Sequence, residues 1–176
     1  MRFSITALAL FAMTGALAAD DKSPDQWEPV RFMLGSWHGE ATGEPGKGTV
    51  ERTYEWTLAG KFIREVNTST YQARDGKPPE VHHHHGYISY DKARKALMLR
   101  HFHEEGFVNL YVFNDQASSK ARLVFNSVNF ENFSNDWKAR ETYEIVSPDE
   151  FIETFELAEP GKEFVIYSRT RLKRNK

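Results

Sequence analysis

No cysteine occurs in the 176 residues. That absence removes disulfide staples, thiolate nucleophiles, thiolate metal ligands and a lipid-carrying cysteine behind a leader. Stability must come from the core alone. A surplus of positive charge is missing too, since 23 Lys and Arg stand against 25 Asp and Glu, for a formal net charge of −2. A nucleic-acid partner, which needs a basic face to meet phosphates, is therefore not expected. The one basic cluster, Arg169, Arg171, Lys173, Arg174 and Lys176, reads as a solvated last strand and tail. No apolar run reaches the ~20 residues of a membrane-spanning helix, so stable membrane insertion is not expected either. Catalytic signatures are equally scarce: there is no G-x-S-x-G, P-loop or dinucleotide fingerprint. His103-Glu104-Glu105 is not H-E-x-x-H, because Phe107 stands where the second histidine belongs.

What is present begins with an address. Arg2, an apolar run from Ile5 to Leu17 and the small residues Ala16-Leu17-Ala18 read as a secretory signal peptide over residues 1–18. Residues 19–176 then form a single domain, and the expected location is periplasmic or secreted. A short helix is expected from Ser23-Pro24 through Leu34, ended by Gly35. Beyond it the texture turns to alternation. From Thr49 to Leu58, Val50, Arg52, Tyr54, Trp56 and Leu58 share one face and polar residues the other. The same pattern recurs over Lys61–Tyr71, Phe107–Phe113, Arg122–Val128, Trp137–Val146, Phe151–Leu157 and Glu163–Leu172. With Trp37 opening a first segment, and with a hairpin around Asp91, that makes about ten strands at meander spacing. Consecutive short strands that must each bury a face and hide their edges predict an all-β fold, a single up-and-down antiparallel β-barrel. A barrel of that size encloses side chains and often a ligand cavity.

The chemistry concentrates between Val81 and His103, which hold six of the seven histidines. His82, His83, His84 and His85 form one run, and His101 and His103 flank Phe102. Gly86–Tyr90, Asp91–Lys95 and Ala96–Arg100 read as strand, turn and strand. Two registers are open: His84 opposite His101 with His82 opposite His103, or His85 opposite His101 with His83 opposite His103. Either puts two cross-strand histidine pairs on one face, because the run covers both parities. Opposed Cβ atoms lie roughly 4.5–5.5 Å apart, close enough for imidazoles to share a metal ion. The metal candidates are His82, His84, His101 and His103, with Glu105 on the same parity. A run of histidines beside Pro78-Pro79 is also what an exposed strand end contains, so the His101/His103 pair is the stronger half.

At Phe32-Met33-Leu34-Gly35-Ser36-Trp37-His38-Gly39-Glu40 the chain resembles the opening motif of nitrobindin-type β-barrels, members of the calycin group that includes lipocalins and fatty-acid-binding proteins. The resemblance implies that the short helix and Trp37 plug one end of the barrel, while Gly35 and Gly39 let the first strand bend. It also implies haem held by a histidine on the last strand. Here that strand, Glu163 to Leu172, has none, and Tyr167 falls near the ligand position; the departure argues against haem. A fainter likeness to periplasmic zinc-binding lipocalin-like proteins rests on His101-Phe102-His103.

Together these observations predict a calycin-like barrel that binds a small apolar or amphipathic molecule in an aromatic-lined cavity, as a monomer or homodimer. Trp37, Arg52, Tyr54, Trp56, His101, His103, Tyr111 and Tyr167 are the candidate ligand-binding residues, with Arg52 placed to meet an acidic head group. The alternative is a metal-binding protein or metal-dependent enzyme built on the hairpin, with zinc or another divalent transition metal as its cofactor. No spacing defines a reaction, so a non-enzymatic role leads.

Overall fold

The computed structural model describes residues 25–74, 76, 78–133 and 136–176. The expected leader and the helix start at Ser23-Pro24 lie outside them. Ten antiparallel strands follow one another around the molecule: β1 (Gly35–Gly43), β2 (Gly48–Thr57), β3 (Phe62–Tyr71), β4 (Glu80–Asp91) and β5 (Ala96–His103). They continue as β6 (Val108–Phe113), β7 (Arg122–Glu131), β8 (Lys138–Ser147), β9 (Glu150–Ala158) and β10 (Val165–Arg174). Each pairs with its neighbours in sequence, and β1 closes against β10, so no edge remains. The all-β up-and-down barrel read from the alternation is the fold observed.

The short N-terminal helix is a 3-10 helix, Glu28–Met33, with proline in its first turn. It closes one end of the barrel. Val30 and Met33 are buried, and Trp37 at the start of β1 donates its indole N–H to the Met33 carbonyl at 2.6 Å. The Arg174 guanidinium lies 4.1 Å from the centre of the Trp37 ring and donates to the carbonyls of Leu34 and Phe32. These carbonyls at the helix end would otherwise lack partners, so one side chain from the last strand fastens the plug. Gly39 is required for closure: a Cβ there would sit 2.2 Å from the Arg171 carbonyl oxygen on β10.

Inward residues sort into layers. Above the plug, Ile63, Ile88, Leu99, Leu123, Phe125, Tyr143, Phe151 and Leu172 form a buried floor. Two residues further along each strand the interior becomes polar, and beyond that belt the barrel opens among the β1–β2, β3–β4 and β5–β6 turns. Among the described residues no helix is long and apolar enough to cross a membrane.

The hairpin register differs from both expectations. His84 pairs with His103 and Gly86 with His101, and the ladder runs to Asp91 opposite Ala96. The reason lies in the turn. The Asp91 carboxylate accepts the N–H groups of Ala93 and Arg94, and Lys95 takes a left-handed φ of 53°, so four residues make the turn. The parity nevertheless sends His82, His84, His101 and His103 inward together.

Candidate functional site

The open half of the barrel encloses a cavity of about 460 Å³, within the range of small-molecule sites. Its base is the polar belt, organised around Arg52 of β2. Arg52 donates both terminal nitrogens to Glu153 of β9, at 2.6 and 2.9 Å, and its Nε to Asn67 at 2.9 Å. Nε also lies 3.2 Å from Glu65 of β3. Burial works against an ionised Glu65, but the Arg52 charge and the N–H groups of His101 and His84 outweigh it and hold the carboxyl well below its ordinary range.

Glu65 reaches both histidines across β4. Its Oε1 lies 3.0 Å from His84 Nε2 and its Oε2 3.2 Å from His101 Nε2. Gly86 stands between Glu65 and His101 in the ladders, and a Cβ on it would sit 2.6 Å from Glu65 Oε2 and 3.0 Å from the His101 ring. The missing side chain is what lets the carboxylate and the imidazole meet. Burial drives the His84 pKa down to about 4, against the pull of the Glu65 hydrogen bond. Glu141 of β8 completes the belt with no cation bonded to it. Its Oε1 is 3.9 Å from His101 Nδ1 and its Oε2 has no hydrogen-bond partner. Burial first and the Glu153 charge second push its pKa well up.

Toward the mouth a second chain of groups lines the wall. Glu105 Oε1 lies 2.8 Å from His82 Nδ1, His82 Nε2 lies 3.3 Å from His103 Nδ1, and His103 Nε2 lies 3.3 Å from Asn109 Nδ2. The His103 ring stacks on Phe107 at 4.2 Å. Burial and the neighbouring imidazoles hold His103 neutral, down to about 2. Among the described residues three donor triads result, the ligand atoms of each lying within 4.8 Å of one another: His82, His84 and His103; Glu65, His84 and His101; and, at the exposed rim, His82, Glu104 and Glu105.

His82, His84, His101 and His103 thus line one cavity. Of the other candidates, Arg52 and Tyr167 also line it, although the Arg52 guanidinium is already committed to Glu153, Glu65 and Asn67. Tyr54 is buried beneath the belt and its hydroxyl accepts from Arg52 at 3.3 Å, while buried Tyr111 accepts from Asn109 at 3.0 Å. Trp37 belongs to the plug. Trp56 shares the parity of Arg52 but sits at the closed end, half exposed, edge-on to Trp27. Sequence reasoning missed Glu65, Asn67, Asn109, Glu141 and Glu153. The inward face of β3 reads Ile63, Glu65, Asn67 and Ser69, so polarity gave no sign of its burial. A buried Arg52 was the available signal, because an enclosed guanidinium demands carboxylates.

Residues 26–174 match the family model described as THAP4-like, heme-binding beta-barrel domain. The chain belongs to that family. The match spans the whole barrel and so does not single out the opening motif. The fold is similar to that of Rv2717c from M. tuberculosis, with a TM-score of 0.64 and 15 % identity over 86 % of this chain and 98 % of that one, a likeness of fold alone. A protein of unknown function from the DUF3598 family of Nostoc punctiforme matches over 87 % of this chain and 100 % of its own at 9 % identity, with a TM-score of 0.31. No curated protein matches the chain. Membership corrects one expectation. The absence of a last-strand histidine argues against haem and leaves zinc or another divalent metal as the expected cofactor, yet the family this barrel belongs to is haem-binding.

Proposed function

We propose that this barrel binds haem, or a planar amphipathic molecule like it, in its histidine-walled cavity, and does so outside the cytoplasm as the leader-like first 18 residues indicate. The donor set fits the group. Histidine and tyrosine are both haem-iron ligands, and the cavity wall carries His82, His84, His101, His103 and Tyr167. An imidazole must be neutral to coordinate, and burial keeps His84 and His103 neutral across the physiological range. Tyr71, Phe107, Phe155 and Tyr167 supply apolar surface near the mouth for a flat ring. When bound, haem would supply a redox-active iron. The chain's own contribution is to seat the ring, present a neutral base and exclude bulk water from the belt below.

The observation that carries this reading is the wall of four inward histidines inside a barrel of a haem-binding family. Optical titration of the ligand-free protein with ferric haemin tests it. Saturation at one haemin per chain, with a sharpened and shifted Soret band, is the expected result. Absorbance that tracks free haemin at every ratio overturns it.

A further inference from the structure

We propose that His103 Nε2 is the atom this chain offers to a haem iron, with His82 and Glu105 forming an imidazole–carboxylate chain behind it that fixes the tautomer and the ring. The inference rests on the haem reading above and assigns the ligand within it.

The hydrogen bonds select the atom. Glu105 only accepts, so His82 Nδ1 carries the proton on that contact and His82 Nε2 is left as a lone pair. That lone pair accepts from His103 Nδ1–H. His103 Nε2 is then unprotonated, and its one partner is the Asn109 amide at 3.3 Å, which also donates to the Tyr111 hydroxyl at 3.0 Å and so keeps a partner when it releases His103. The other donors are worse placed. His84 and His101 donate Nε2–H to the Glu65 carboxylate and keep Nδ1 as their lone pair, and both are buried in the belt, at 9 % and 2 % exposure, whereas His103 stands nearer the mouth and is only partly buried. His82 Nε2 is occupied by His103. Tyr167 would have to lose its phenolic proton to ligate, and burial together with Glu80, Glu44 and Glu105 opposes that. His103 is also the best held: Phe107 stacks on its face, fixing the ring plane, and the chain to Glu105 fixes its rotation. A histidine that donates its second ring nitrogen toward a carboxylate is the arrangement that orients metal-bound imidazoles and raises their basicity; here the carboxylate acts through a second imidazole. Glu105 and His82 are therefore positioning residues.

The test uses the full chain, labelled with ¹⁵N-histidine and loaded with ferric haemin, and read by electron–nuclear double resonance and by potentiometric titration. The expected result is an axial histidine nitrogen coupling that persists in Tyr167→Phe and disappears in His103→Gln, with haemin affinity at least 10-fold lower in the latter and its far-ultraviolet dichroism unchanged. Glu105→Gln keeps the coupling but moves the Fe(III)/Fe(II) midpoint positive, and Glu105→Asp returns it toward the parent. A coupling that survives in His103→Gln and is lost in His84→Gln or His82→Gln overturns the assignment. So does a phenolate charge-transfer band abolished by Tyr167→Phe. Both leave haem binding intact, whereas failure of haemin to saturate the parent protein removes the reading beneath it. An unchanged midpoint in Glu105→Gln overturns the positioning role.

Discussion

Replacing Arg52 by methionine removes the one cation from a belt that holds three buried carboxylates. Glu153, Glu65 and Glu141 are each at most 8 % exposed, and Arg52 makes both hydrogen bonds to Glu153 and the ion pair to Glu65. Methionine fills similar volume, so the loss is electrostatic. Breaking a buried pair by deleting one partner costs ~3–5 kcal/mol, because the surviving charge stays buried without compensation. Against a total stability of ~5–15 kcal/mol, that is a large share. With a slope near ~2 kcal/mol per molar urea, the unfolding midpoint of Arg52→Met falls by about 2 M at pH 7. Glu153→Gln alone costs less, since Arg52 keeps Glu65. Adding it to Arg52→Met recovers at least ~2 kcal/mol relative to the sum of the single losses, as directly coupled charges require. Lowering the pH to 5 narrows the gap between parent and Arg52→Met, because the freed carboxylates take up protons. A loss below about 1 kcal/mol at pH 7, or strict additivity in the double variant, refutes the picture of a desolvated belt.

Three further outcomes follow from the same geometry. His84 titrates near 4 in the fold against an ordinary 6.5, so as pH falls between those values the unfolded chain binds a proton the fold refuses. The ligand-free protein loses about 3 kcal/mol from this residue by pH 4; in His84→Gln that share is gone, and parallel urea series from pH 7 to 5 for the two proteins would falsify it. Glu141, with its pKa raised, favours the fold fully below its unfolded value near 4.5, and that advantage is lost as pH rises toward its folded value. Glu141→Gln is accordingly as stable as the parent at pH 5 and more stable at pH 8, by calorimetry. Gly86→Ala drives a methyl group against Glu65 and His101 and lowers the thermal midpoint by about 4–8 °C, the equivalent of roughly 2 kcal/mol. An unshifted midpoint shows that the contact relaxes freely.

Much of the architecture was legible because strands of a closed barrel bury one face each. Alternation in Thr49–Leu58 gave the inward set Val50, Arg52 and Tyr54, and parity alone sent His82, His84, His101 and His103 to one side of the wall. Register was not legible. It depended on Lys95 accepting a left-handed backbone and on Asp91 folding over the next two amides, neither of which periodicity records. Glu65, Glu141 and Glu153 escaped notice for a different reason: hydrophobic patterning marks burial by apolar residues, and these positions are buried because they neutralise Arg52 and the imidazoles. Trp56 fails conversely, since shared parity says nothing about how far along the barrel a side chain stands.

Closure of the barrel carries a kinetic consequence. The contact between Glu65 and His101 joins residues 36 positions apart, within the successive hairpins of β3, β4 and β5. The seam between β1 and β10 brings together residues such as His38 and Asn175, 137 positions apart. Short loops close sooner than long ones, so the histidine wall is expected to take shape on an open meander before the seam zips. If His103 holds the ligand as proposed, a rigid flat molecule would reach it across the unsealed side of a nascent sheet, and loading during folding should outpace loading of the finished barrel.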